Sequence, residues 1–149
     1  MQASIVIPSL NSPIIASVID SLLAQNEVDA IGEILVVGKD QGNLIGRREK
    51  VRFIDTHEEV SASTARNIGI AQAGGELIVF LDSDCIAQPL WLAEHLGAQA
   101  SGQTIVSGGV TPEGENYWSL AYNLSLFHEF LTTLSDGERD YLPSLNLSV

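Results

Sequence analysis

Leu77-Ile78-Val79-Phe80-Leu81-Asp82-Ser83-Asp84 is a run of five apolar residues that stops abruptly at two carboxylates. Nothing polar interrupts the apolar part, so it reads as a strand covered on both faces, as in a parallel sheet. Carboxylates at i and i+2 after such a strand lie at the carboxyl edge of the sheet, where open α/β folds bind ligands. Hard oxygen donors there suit Mg²⁺ or Mn²⁺, ions that share their coordination with substrate phosphates. Asp and Ser also favour turns for backbone reasons, so an ordinary turn after a strand accounts for the same three residues.

Working outward, Ser4-Ile5-Val6-Ile7 and Ile34-Leu35-Val36-Val37 repeat the buried-strand pattern. Between them Ser12 is expected to cap a helix with Pro13 at its first position. Ile14, Ile15, Val18, Ile19, Leu22 and Leu23 then recur at helical spacing to about Asn26, giving a β-α-β unit. Val51 to Ile54 reads as a third strand. Ser61 or Ser63 is expected to cap a helix running to Ala73 and ended by Gly74-Gly75. Pro89 opens another helix carrying Leu92, Leu96 and Ala100, and Thr104 to Ser107 supplies a further strand. Asn116 to Leu134 has only His128 and Glu129 as side chains that carry charge near neutral pH. It is expected to be either a largely buried helix or one that packs under something absent. Leu145 to Val149 reads as a strand.

Composition narrows the function. The 149 residues carry 7 Lys+Arg against 19 Asp+Glu, a net charge of −12. That balance argues against nucleic-acid binding and against passive attraction to an anionic membrane. Apolar types make up 45% and charged types 17%, enough for one core and far from the composition of disorder. Cys85 is the single cysteine, so no internal disulfide forms and either a reducing compartment or indifference to redox is expected, with the lone thiol free to react. No signal peptide or membrane span is indicated. His57, His95 and His128 lack zinc-motif spacing and read as structural or solvated. Ser107-Gly108-Gly109 reads as a tight turn where the backbone approaches a ligand or a neighbour. Trp91 and Trp118 are expected in the core or at a domain contact. No Gly-x-Ser-x-Gly elbow supports a serine hydrolase.

Three further groups belong to the same crevice if the first and fourth strands are neighbours. Pro8-Ser9-Leu10-Asn11 ends the first strand and either holds a nucleotide or only shapes the turn into the helix. Asp40 and Lys39 follow the second strand, where a carboxylate can accept from a base N–H and an amine can approach a phosphate; solvated loop charges are the alternative. Arg66, near the start of the helix opened by Ser63-Thr64, faces a diphosphate or Asp82, or is a surface arginine.

Taken together, Ile5-Val-Ile-Pro-Ser-Leu-Asn11, Glu33-Ile-Leu-Val-Val37, Ser63-Thr-Ala-Arg-Asn-Ile-Gly69, Gly75-Glu-Leu-Ile-Val-Phe-Leu-Asp-Ser-Asp84 and Pro89-Leu-Trp-Leu92 resemble the nucleotide-sugar-binding half of a family 2, GT-A type glycosyltransferase. The resemblance is strong over about residues 3–110, with 111–149 as the beginning of an acceptor-side region of the same single domain. It implies an α/β fold with a Rossmann-like, mostly parallel sheet flanked by helices and incomplete at the carboxyl end. It also implies inverting transfer from a nucleoside-diphosphate sugar bound with Mn²⁺ or Mg²⁺. On this resemblance Asp84 is the direct metal ligand, while Asp82 contacts ribose or sugar and shares in the metal site. Pro8 and Ser9 border the nucleoside, and Arg66 with Asn67 supports the diphosphate side.

Two departures carry weight. Where relatives carry two consecutive acids after the second strand, this chain has Gly38-Lys39-Asp40, so Asp40 is the expected substitute for the base contact. The catalytic base is expected beyond Val149, as in a truncated protein, and Glu113, Glu115, Glu129 and Asp140 are not assigned that role. The acceptor is an unspecified sugar, lipid or protein. Tyr117 to Leu134 is expected either to form a homo-oligomer interface or to cover the sheet in an arrangement unlike the family's. The expected setting is cytoplasmic, or the cytoplasmic face of a membrane reached through a missing portion. A non-catalytic nucleotide-sugar-binding or oligomerisation module is the alternative. A sugar-phosphate nucleotidyltransferase needs a glycine-rich basic loop, and Pro8 to Pro13 contains no Gly, Lys or Arg.

Overall fold

The structure is a computed structural model that describes residues 1–114 and 116–149. Six strands form one sheet: β1 (Ala3–Leu10), β2 (Ile31–Lys39), β3 (Val51–Asp55), β4 (Leu77–Leu81), β5 (Val106–Ser107) and β6 (Asn146–Ser148), in the order β3-β2-β1-β4-β6-β5. The first four strands pair in parallel. β6 lies antiparallel between β4 and β5. Among the described residues four α-helices accompany them: α1 (Ile15–Leu23), α2 (Ala62–Gln72), α3 (Trp91–Ala100) and α4 (Tyr117–Phe127).

Strand alternation sends each apolar run to two faces, and helices cover both. Ile5, Ile7, Ile34, Val36, Val79 and Leu81 share one core with Ile15, Val18, Ile19 and Leu22 of α1 and Leu92 of α3. Val6, Leu35, Val37 and Phe80 form a second core with Ala65 of α2. Each fully buried Ile or Leu contributes about 1.5–3 kcal/mol, so the uninterrupted apolar runs set the centre of the sheet. Gly69 lets α2 approach closely, because a Cβ there would stand 2.3 Å from a Val6 methyl.

Several local expectations change. α1 begins at Ile15 with no side-chain cap, and the Ser12 hydroxyl instead donates to the Ser83 carbonyl at 2.6 Å. For α2, Ser61 is the cap, accepting from the Thr64 amide at 3.1 Å. Ala73 after it is extended, and Gly75 serves close approach, since a Cβ would meet the Gln2 carbonyl at 2.7 Å. The strand expected at 104–107 contracts to Val106–Ser107. The Ser107-Gly108-Gly109 turn approaches a neighbour: a Gly108 Cβ would stand 2.4 Å from Asn146 Nδ2.

The 116–134 stretch does not form a largely buried helix. Asn116 and Ser119 form a capping box that starts α4, yet none of its residues is buried. Trp118 is therefore no core residue; it is 78% exposed. Among the described residues no helix is long and apolar enough to cross a membrane.

β6 is held by a buried polar network. Asn146 Oδ1 accepts from Trp91 Nε1 at 2.6 Å and bonds His95 Nε2 at 2.9 Å. Its amide nitrogen donates to the Gly109 carbonyl at 3.2 Å. Indole N–H can only donate, which fixes Oδ1 as an acceptor and places the His95 proton on Nε2. His95 Nδ1 then accepts from the Ser148 hydroxyl at 2.9 Å.

Candidate functional site

The carboxyl ends of β1, β2 and β4 and the start of α2 enclose an open cleft of about 460 Å³. The strand order creates it. The chain leaves β1 toward β2 on one side and reaches β4 on the other, and open α/β sheets bind ligands where the order reverses in this way. Pro8 and Ser9 line the cleft from β1, Gly38 and Lys39 from β2, and Asp82, Ser83 and Asp84 from the loop after β4.

Gly38 has φ +140°, and a Cβ there would stand 1.9 Å from the Ser9 carbonyl oxygen. Only glycine permits this contact between the two strand ends. The Ser9 hydroxyl is buried without a partner among the described residues, as is Arg66 Nε. Buried polar atoms are nearly always satisfied, so the cleft wall holds hydrogen-bonding capacity that the chain does not use.

Asp82 and Asp84 stand on one turn, closed by the Cys85 amide donating to the Asp82 carbonyl at 3.1 Å. A terminal nitrogen of Arg66 donates to Asp82 Oδ1. Burial pushes the Asp82 carboxyl up from its ordinary value and the Asp84 charge adds to this, against the pull of Arg66. Asp84 is exposed. Burial and both carboxylates push the Cys85 thiol up to about 12, so it stays protonated at neutral pH and is no reactive nucleophile.

The remaining candidates divide. Arg66 reaches the site through Asp82, whereas Asn67 is exposed on α2 and does not line the cleft. Asp40 is also absent from the lining. Its two carboxylate oxygens accept from the Leu44 and Ile45 amides at 3.0 and 2.9 Å. Lys39 lines the cleft with its amine drawn back onto Asp55 Oδ1 and the His57 carbonyl, each at 3.0 Å. The His57 amide, first, and then Lys39 hold the Asp55 carboxyl below its ordinary value. Glu113, Glu129 and Asp140 do not line the cleft, and Glu115 lies outside the described residues.

The pairing of Ser12 with Ser83 has no local signature in the sequence. A Ser before a Pro looks like a helix cap, and its partner lies 71 residues away.

Among the described residues no three His, Cys, Asp or Glu side chains converge as a metal cluster. The cleft offers the two carboxylates alone. Mg²⁺ sites commonly use one or two carboxylates plus substrate phosphates, so this donor set fits a cation completed by a diphosphate.

A family model described as Glycosyl transferase family 2 matches residues 4–142. Glycosyltransferase AglE of Haloferax volcanii is 27% identical over an alignment of 158 residues that covers 98% of this chain and 51% of that protein. YfnE of Bacillus subtilis, described as an uncharacterized glycosyltransferase, is 26% identical over 132 residues, covering 83% of this chain and 32% of that protein. The chain thus spans about half the length of the first and about a third of the second. The crystal structure of S. aureus TarS 1-349 superposes with a TM-score of 0.64 at 22% identity, over 78% of this chain and 39% of that one. At that identity the likeness is one of fold.

Proposed function

This chain belongs to glycosyl transferase family 2, and from that premise we propose that it binds the nucleoside-diphosphate sugar in a metal-assisted, inverting glycosyl transfer to a sugar, lipid or protein acceptor. The observation that carries the reading is the pair Asp82 and Asp84 on one turn of a cleft that also holds the unpartnered Ser9 hydroxyl. A cation, Mn²⁺ or Mg²⁺, would neutralise the diphosphate and its leaving charge. Asp84, exposed and without an arginine partner, is assigned to it directly. Asp82, held by Arg66, is assigned to the ribose or sugar with a share in the metal site. Pro8 and Ser9 border the nucleoside, where the Ser9 hydroxyl has a free bond to give.

Asp40 does not line the cleft and both its oxygens accept amides of the following loop, so we assign it to the shape of the 40–45 loop. Asn67 is left to the surface of α2. In an inverting displacement the acceptor oxygen bonds the anomeric carbon as the bond to the diphosphate breaks, and a base takes the acceptor proton from about 3 Å. None of the described acids outside the Asp82–Asp84 turn lines the cleft, and the base is assigned to none of them. A reducing, cytoplasmic setting is kept as part of this reading, on the single cysteine.

Calorimetric titration of UDP, GDP, dTDP and their sugars, with Mn²⁺, Mg²⁺ or chelator, tests the reading. One nucleotide is expected to bind in a metal-dependent manner, with affinity falling about tenfold or more in Asp84→Ala. Binding indifferent to metal and to Asp84→Ala, or no binding by a folded chain, would overturn it. Donor binding without transfer to any acceptor would favour a binding module.

A further inference from the structure

We infer that Ser12 is a positioning residue for Asp84, locking the peptide that aims the Asp84 carboxylate into the cleft. The turn Asp82 to Cys85 is closed by the Cys85 amide on the Asp82 carbonyl at 3.1 Å, with Ser83 and Asp84 at its two central positions. Such a turn has two forms related by a flip of its central peptide, and the flipped form needs φ > 0 at the third residue. That residue is Asp84, which does not adopt positive φ. The central peptide's carbonyl belongs to Ser83, and it is this oxygen that accepts from Ser12 Oγ at 2.6 Å. Asp enters the left-handed region more readily than most residues, so the flipped form lies within reach of this turn. Ser12 adds a constraint against it.

The constraint is useful because Ser12 is itself fixed. Asn11 beside it has φ +54°. Its amide donates to the Lys39 carbonyl at 3.0 Å and its side-chain oxygen accepts from the Gln41 amide at 2.8 Å. Pro13 confines Ser12 to extended backbone. The loop after β1 is therefore anchored on the β2 side of the cleft and grips the carboxylate turn on the other.

The inference rests on the proposed role of Asp84 toward a cation and diphosphate, and the test separates the two. Wild type, Ser12→Ala, Ser12→Thr and Asp84→Ala are titrated calorimetrically with Mn²⁺ at saturating UDP, GDP or dTDP, and with each nucleotide in chelator. Ser12→Ala is expected to raise half-saturating Mn²⁺ about fivefold with nucleotide affinity in chelator unchanged, and Ser12→Thr to restore it. If Asp84→Ala weakens the Mn²⁺ dependence and Ser12→Ala does not, the inference falls and the functional reading stands. If neither changes it, both fall. An equal loss in Mn²⁺ and chelator would make Ser12 a loop-shaping residue and overturn the positioning role. Independently of any ligand, Ser12→Ala should show a strong nuclear Overhauser contact from Ser83 Hα to the Asp84 amide, the mark of the flipped peptide. Persistence of the unflipped pattern would overturn the inference.

Discussion

Gly38 joins two strand ends through a contact that no side chain permits. With φ +140° and the Ser9 carbonyl 1.9 Å from where a Cβ would stand, Gly38→Ala combines backbone strain with a collision against backbone that cannot swing aside. A loss of about 3 kcal/mol or more is expected, read by urea unfolding followed by circular dichroism. A loss below about 1 kcal/mol would mean that the ends of β1 and β2 part easily. The same reasoning separates Asp82 from Asp84. Both are Asp, but one is drawn onto Arg66 inside the wall and the other faces solvent, so the partners open to them differ.

β6 is an element whose stability is tied to pH. His95 is buried between Asn146 and Ser148, and burial, against the Asn146 bond, lowers its affinity for a proton below the ordinary value of 6.5. The unfolded chain therefore binds more protons than the folded one as pH drops through and below about 6.5, and stability falls with pH in that window. Unfolding free energy measured between pH 7 and 5 should decline more steeply in the wild type than in His95→Gln, which has no such group to titrate. Parallel profiles would contradict the buried neutral imidazole. The consequence reaches the cleft, because the Leu145 carbonyl just before β6 accepts from the Asp82 amide at 3.1 Å.

At the scale of the molecule, the surface of α4 stands against the rest. Tyr117, Trp118 and Tyr122 are 74%, 78% and 63% exposed, on a helix without a charged side chain. Because these residues bury little, Trp118→Ser with Tyr122→Ser should change unfolding free energy by no more than about 0.5 kcal/mol. Exposed apolar area of this kind promotes association, which the net charge of −12 opposes and salt relieves. Sedimentation velocity should show concentration-dependent association that strengthens with salt and weakens in the double variant. A monomer at all concentrations would count against self-association through this helix.

The parallel centre of the sheet and the two carboxylates at its carboxyl edge are legible in the amino-acid order alone. Runs such as Ile34 to Val37 and Leu77 to Leu81 carry their burial in local pattern, and an apolar strand followed by Asp-Ser-Asp needs no distant partner to be read. The same local reading sent Ser12 to a helix cap and left Asp40 open as a base contact. Packing between distant segments sets Ser12 on a carbonyl 71 residues away and turns the Asp40 carboxylate onto amides of its own loop. It likewise decides that Asn146, reached through Trp91 and His95, seats the last strand beside β4. A hydroxyl or amide carries no sign of which partner it will find. Hydrogen bonds of this kind are directional and short, so their partners are settled by which backbone atoms the packed core brings within reach.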